Sequence, residues 1–145
     1  MSTLAINKGK YEKQLRRTVW SHLIMSAAAV VVDKVYGIYS HGVDSAAMTW
    51  MFLYPLIGGA LYCFIIGKLF PRFTHSASCR VFLNLHNSGI AALTISSLLK
   101  GVFEIAGTSS PHLVYYNAAG WGFLAAGLIT MVAQLVADLR KKGYL

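Results

Sequence analysis

The sequence divides into four long apolar runs, at 18–39, 46–70, 81–105 and 113–137, separated by short polar connections at 40–45, 71–80 and 106–112. An α-helix needs about 20 predominantly apolar residues to cross the hydrocarbon core of a bilayer. The first run meets that length, and the other three meet it with room for tilt. Strands are a poor alternative, because an open sheet in lipid leaves backbone groups unpaired. The expected fold is all-α: a polytopic membrane protein whose single domain, 1–145, is a four-transmembrane-helix bundle. The connections are too short to hold a soluble domain. Any chemistry therefore belongs to the spans or to their two ends.

Two of the runs are not uniformly apolar. At about 100° per residue, His22, Ser26, Asp33, Tyr36 and Ser40 fall along one line of the first span. On the third span His86 and Glu104 are 18 residues apart and share nearly one angle. Ser97 and Lys100 lie close to it, with Asn84, Asn87, Ser88, Thr94 and Ser96 on the flanks. Ionisable groups within a span ordinarily face a bundle interior or a wet cavity, and are candidates for function. The two stripes are expected to face each other. His22, Ser26, Asp33, Tyr36, Asn84, His86, Asn87, Ser97, Lys100 and Glu104 would then line a site or path for a small polar or charged solute.

Asp33, Lys34, Lys100 and Glu104 lie at similar depth. Pairing Asp33 with Lys100 and Lys34 with Glu104 across the two helices neutralises all four charges. Lys100 precedes Glu104 by four residues, the weaker order for a pair within one helix, which favours the cross-helix arrangement. The competing reading has both lysines snorkelling to head groups, with the acids in interfacial water.

His22 and His86 also lie at matching depths near the starts of their spans. Two imidazoles on neighbouring helices suit axial ligation of the iron of haem b, or a metal ion. His41 and His112, in the two outer connections, offer a second pair. A membrane redox module is thus a second reading. The plainer account of His86 is a hydrogen bond to an asparagine or a backbone carbonyl, and of His22 an amphipathic residue near the membrane surface. An offset of 64 superposes His22 on His86, Ser40 on Glu104 and Gly58 on Gly122. That is the pattern of a duplicated hairpin about an axis along the membrane normal.

Charge sets the expected orientation. Eleven of the 13 Lys and Arg residues flank one side: Lys8, Lys10, Lys13, Arg16 and Arg17; Lys68, Arg72 and Arg80; Arg140, Lys141 and Lys142. Only Lys34 and Lys100 fall on the other. Basic residues accumulate on the cytoplasmic side, so both termini are expected in the cytoplasm, in a plasma-membrane protein. Asp33, Asp44 and Glu104 lean outward. Trp20 at the inner end, and Tyr39, Trp50, Tyr115 and Tyr116 at the outer, suit aromatic belts. The basic leader 8–17 suits anionic head groups. The alanines at 27–29 loosely resemble a signal-peptide cleavage site. The apolar stretch before them is broken by Ser21 and His22 and resumes at Val30, so the span is expected to stay uncleaved.

Composition narrows the class further. Only 12% of residues are charged and 56% are hydrophobic, with a mean hydropathy of +0.54, against about 25% charged in a typical soluble domain. A soluble globule, a disordered chain and a disulfide-stapled module are excluded. The net charge of +8 does not imply a nucleic acid, because the basic residues cap the apolar runs instead of forming a face. The expected partners are the lipid bilayer, a small polar solute, and further copies of the chain or a larger membrane complex.

Small residues indicate packing. Ala118, Gly122, Ala126 and Thr130 form a ridge on the fourth span, of the kind that admits a close neighbour. The second span carries Gly58, Gly59, Ala60 and Gly67 behind Pro55, and a kink that frees the carbonyl of Met51 is expected. Cys63 and Cys79 form no C-x-x-C and are read as reduced structural thiols. The 107–111 segment reads as a helix stop and a turn. No catalytic motif occurs, so no residue is assigned a catalytic role. Three functional readings follow: a solute-binding or solute-conducting membrane protein, a haem-binding redox module, and an accessory subunit of a larger complex.

Overall fold

The computed structural model describes residues 3–40, 42–69 and 77–141, and every regular element among them is helical. His41, Phe70, Arg72 and Lys142 lie outside the described residues. Four helices are long and apolar enough to cross a membrane: Lys13–Tyr39, Ala46–Leu69, Ser78–Ile105 and Leu113–Arg140. Helix α1 (Thr3–Tyr39, 37 residues) carries the basic leader and the first apolar run without a break. It is about 55 Å long at 1.5 Å per residue. Helices α4 (Ala77–Ile105) and α5 (Leu113–Lys141) have 29 residues each. They overrun the apolar runs because hydropathy marks the greasy part of a helix, whereas hydrogen bonding carries the helix on through polar residues.

The turn between α4 and α5 is built as the sequence suggests. Gly107 has φ 67°, a left-handed conformation that favours glycine. Its N–H donates to Glu104 O (3.2 Å) and that of Thr108 to Phe103 O (2.9 Å). Together these bonds make a Schellman cap that satisfies the last carbonyls of α4.

The second apolar segment departs most from expectation. It is not one kinked α-helix. A single turn, α2 (Ala46–Thr49), gives way to turns at 50–52, then to a π-helix (Tyr54–Leu61) with Pro55 at its start, then to α3 (Tyr62–Leu69). Ser45 caps α2, accepting from Met48 N (3.3 Å). Pro55 does lie at an irregularity, but the carbonyl of Met51 is not freed: Tyr54 N donates to it at 3.3 Å. The backbone tightens into i→i−3 bonds before the proline and widens into the π-helix behind it.

The segments pack in chain order. The second segment packs against α1 on one side and α4 on the other, and α5 packs against α4. Among the described residues, no Cα of α1 lies within 8 Å of one in α4, and none of the second segment lies within 8 Å of one in α5. Two cores form. One gathers Cys63, Ile66, Cys79, Phe82 and Leu83; the other gathers Ala29, Met48 and Met51, with Val32, Leu98 and Val102 packed on it. Both cysteines are free and buried.

The α4–α5 contact uses a different face from the expected ridge. A Cβ on Gly89 would stand 2.9 Å from Gly120 O and 2.8 Å from Leu124 Cγ, and one on Gly120 would stand 2.7 Å from Leu93 Cγ. Gly120, Leu124 and Gly127 thus carry the close approach. Gly122 has nothing within 4 Å of a Cβ position, so the Ala118–Gly122 ridge faces away from α4. The Gly58/Gly122 equivalence of the 64-residue offset is not matched in packing either, since a Cβ on Gly58 would meet Ile90 Cδ1 at 2.6 Å.

Candidate functional site

The irregular backbone of the second segment explains where the polar stripes point. Met51 N donates to Met48 O and not to Ala47 O, and Ser97 Oγ of α4 donates to Ala47 O at 2.6 Å. Tyr62 N turns to Ile57 O and Gly59 O, and His86 Nε2 donates to Gly58 O at 2.6 Å. From the other side, Ser26 Oγ of α1 donates to Phe52 O at 3.2 Å. A carbonyl without an in-helix donor needs another partner when water is absent. The stripes of α1 and α4 therefore converge on the second segment and not on each other. The α4 stripe supplies donors to Ala47 O and Gly58 O, where the ladder of that segment is irregular, and Ser26 adds a second donor at Phe52 O, which also accepts from Leu56 N at 3.1 Å.

The charges are arranged in the same way. The expected cross-helix pairs do not form. Lys34 Nζ lies 3.4 Å from the neighbouring Asp33, and Lys100 Nζ lies 3.8 Å from Glu104 on its own helix. Asp33 accepts from Thr49 Oγ1 at 3.2 Å, and Glu104 accepts from Ser45 Oγ. The second segment stands between α1 and α4, so each acid takes a hydroxyl from that segment and leaves its lysine as a local partner.

The two histidines meet the second segment at adjacent residues. His22 is 3% exposed and its Nδ1 donates to Thr18 O at 2.9 Å. A Cβ on Gly59 would lie 2.7 Å from His22 Nε2 and closer still to the ring carbons. His86, 6% exposed, is stacked with Tyr62 (4.8 Å between centroids) and Phe82 (5.4 Å). This layer does not fit the haem reading. Both rings lie against helix backbone, and His86 Nε2, one of its two metal-binding nitrogens, is donating a proton to a carbonyl. Among the described residues, no group of three or more His, Cys, Asp or Glu side chains is placed to hold a metal ion. His112 stacks on Tyr115 at 6.0 Å, while its expected partner His41 is not described.

The remaining predicted residues scatter. Tyr36 and Asn84 are exposed. Asn87 Oδ1 is buried and is the one buried side-chain acceptor or donor without a partner among the described residues.

Two adjoining cavities lie on the side of α4 that the stripe analysis overlooked. The first, about 440 Å³, is lined by Trp50 and Tyr54 of the second segment, Ser96, Ser97 and Lys100 of α4, and Asn117 of α5. The second, about 560 Å³, is walled by Gly58, His86, Leu93, Trp121, Leu124 and Leu128 among others. Leu53 and Tyr54 line both. The first is mixed in polarity and the second almost wholly apolar. They exist because α5 packs on α4 alone, leaving a slot between α5 and the second segment. Sequence reasoning found Ser97 and Lys100 but missed Trp50, Tyr54 and Asn117. Ser45 and Thr49 were missed as partners of the acids. The position of Ser45, directly before an apolar run, is an N-cap signal that pointed to it.

The sequence matches no protein-family model, and no curated protein and no solved structure is similar to it.

Proposed function

We propose that this chain is a multi-pass plasma-membrane protein, with both termini in the cytoplasm, that binds a small polar or charged solute. The site is the 440 Å³ cavity at the Lys100 end of α4, on the outer side of the membrane. One observation carries the reading: Ser96, Ser97, Lys100 and Asn117 converge there beside Trp50 and Tyr54. Apolar walls with a few converging polar groups, at a volume between about 300 and 1,000 Å³, are the usual make-up of a small-molecule site. The polar residues of α1 and the rest of the α4 stripe support it indirectly, by holding the broken second segment that forms one wall. Binding at this mouth is the first step of the transport role.

The test is thiol accessibility at Asn117→Cys, an exposed position on the cavity wall, since Cys63 and Cys79 are buried and give little background. Impermeant anionic and cationic methanethiosulfonates are added from outside. The anionic reagent is expected to react faster, Lys100→Gln to remove that preference, and acetate to slow the reaction. A thiol that reacts equally with both reagents, whatever stands at position 100, would refute the site.

A second reading, as one subunit of a homo-oligomer or larger complex, is favoured by Gly122, which lies open on α5 in the ridge with Ala118. Small residues on an uncovered helix face suit a further helix. Cross-linking at Gly122→Cys in native membranes checks it.

A further inference from the structure

We infer that the ligand of this site is a single-chain amphiphile with a carboxylate head. The head sits at Lys100 and the chain runs down the apolar cavity between the second segment and α5. This rests on the solute-binding reading and adds the chemical class of the ligand.

The head is assigned by charge. Lys100 lines the upper cavity, whereas Glu104 does not; the Glu104 carboxylate takes the Ser45 hydroxyl instead. The walls thus present one ammonium, the Ser96 hydroxyl, the Asn117 amide and no acid, the Ser97 proton being spent on Ala47 O. A charge-assisted hydrogen bond to an anion is the strongest interaction such a wall makes. Lys100 holds its loose 3.8 Å pair with Glu104 and retains donors for a second anion.

The chain is assigned by what lies below. The upper cavity shares Leu53 and Tyr54 with the lower one, whose further walls are Leu93, Trp121 and Leu124. A compact polar solute would leave that lower cavity unused. From Lys100 to His86 is 14 residues of α4, about 21 Å at 1.5 Å per residue. Half of a bilayer's hydrocarbon core is about 15 Å. The slot is therefore as deep as one leaflet, with its charged end at head-group level. Because α5 approaches only α4, the slot opens sideways, and an amphiphile already dissolved in the leaflet enters without crossing water. Polar head, apolar shaft and lateral opening together match an acyl carboxylate.

The test uses the full-length protein in discs of neutral phospholipid, titrated with a long-chain carboxylate brominated at mid-chain, with tryptophan fluorescence as the readout. Trp121 lines the lower cavity, and Trp20 is 60% exposed on α1 and reports on bulk lipid. Saturable quenching is expected, lost in Trp121→Phe and kept in Trp20→Phe. Lys100→Met and the methyl ester of the same probe should each bind about tenfold more weakly, the scale of one charge-assisted hydrogen bond. Ala125 is exposed and lines the lower cavity, so Ala125→Phe should block the long chain while acetate still protects Asn117→Cys. Quenching that follows Trp20, or an ester that binds as well as the acid, would overturn the inference. So would tighter binding by a brominated anionic diacyl lipid. If acetate protects Asn117→Cys and the long-chain probe binds no more tightly than acetate, the amphiphile fails and the solute site stands. If neither binds, both fall.

Discussion

Gly59→Ala is the sharpest probe of the histidine layer. The new methyl would stand 2.7 Å from His22 Nε2 and nearer to the ring carbons, against about 3.5 Å for the closest comfortable contact. The ring must retreat by roughly 1.5 Å. It is not free to do so, because the clash reaches the root of the ring and Nδ1 is held by Thr18 O at 2.9 Å. Overpacking costs about 1–3 kcal/mol, and loss of the Thr18 bond adds about 0.5–1.5 kcal/mol. Alanine offsets about 1 kcal/mol through its helix propensity. A net loss of about 1–3 kcal/mol is expected. Equilibrium unfolding in mixed detergent micelles, followed by tryptophan fluorescence, reads it. The same substitution in a His22→Ala background should be neutral or stabilising, giving a coupling energy of about 2 kcal/mol. If Gly59→Ala costs the same in both backgrounds, the ring does not lie on that glycine and the packing argument is wrong.

Four further outcomes are expected. Gly122→Ala, with open space around it inside α5, should stabilise the isolated protein by about 0.5–1 kcal/mol through helix propensity. His86→Ala should cost about 2–4 kcal/mol because the Gly58 carbonyl loses its donor and two aromatic rings lose a neighbour, while His86→Gln keeps a donor and costs less than half of that; equal losses would remove the hydrogen bond from the account. Asp33→Asn and Lys100→Met should be additive within about 0.5 kcal/mol, since the two residues have different partners; strong coupling in a double-mutant cycle would restore the cross-helix pair. Impermeant thiol reagents applied outside cells should label cysteines placed at Asp44 and Ser109 but not at Arg140, and the reverse pattern would invert the orientation.

Much of the architecture was legible because length and hydropathy suffice for it. The four apolar helices, the Gly107 stop and the buried free thiols follow from run length, a left-handed turn position and cysteine spacing. The site was legible only by residue type. Ser26, His86 and Ser97 stand out as polar groups in apolar helices, but periodicity says which face they share, not which neighbour that face meets. The two stripes do not face each other because the second segment, an apolar run whose demand for donors lies mainly in its backbone, occupies the place between them. A broken ladder of carbonyls leaves little trace in a hydropathy profile. Pro55 with Gly58 and Gly59 was the available sign, and it was read as a kink rather than as a demand for donors. The ridge on α5 misled for a related reason. That helix carries small residues on two faces, Gly120 with Gly127 and Ala118 with Gly122, and spacing alone does not say which one meets α4.

The dependence of the second segment on its neighbours has a consequence for the order of assembly. During synthesis the chain emerges from its N-terminus, so α1 and the second segment are made before α4. Ser26 is then available to Phe52 O, but the donors to Ala47 O and Gly58 O, namely Ser97 and His86, have yet to be made. An unsatisfied carbonyl in hydrocarbon costs several kcal/mol. A regular α-helix would close the ladder at Ala47 O and Gly58 O but open it at Met51 O, because Pro55 has no N–H. The irregular form keeps Met51 O bonded and gains its other two donors only when α4 packs alongside. The donors that complete this segment thus come from a helix that follows it in the chain.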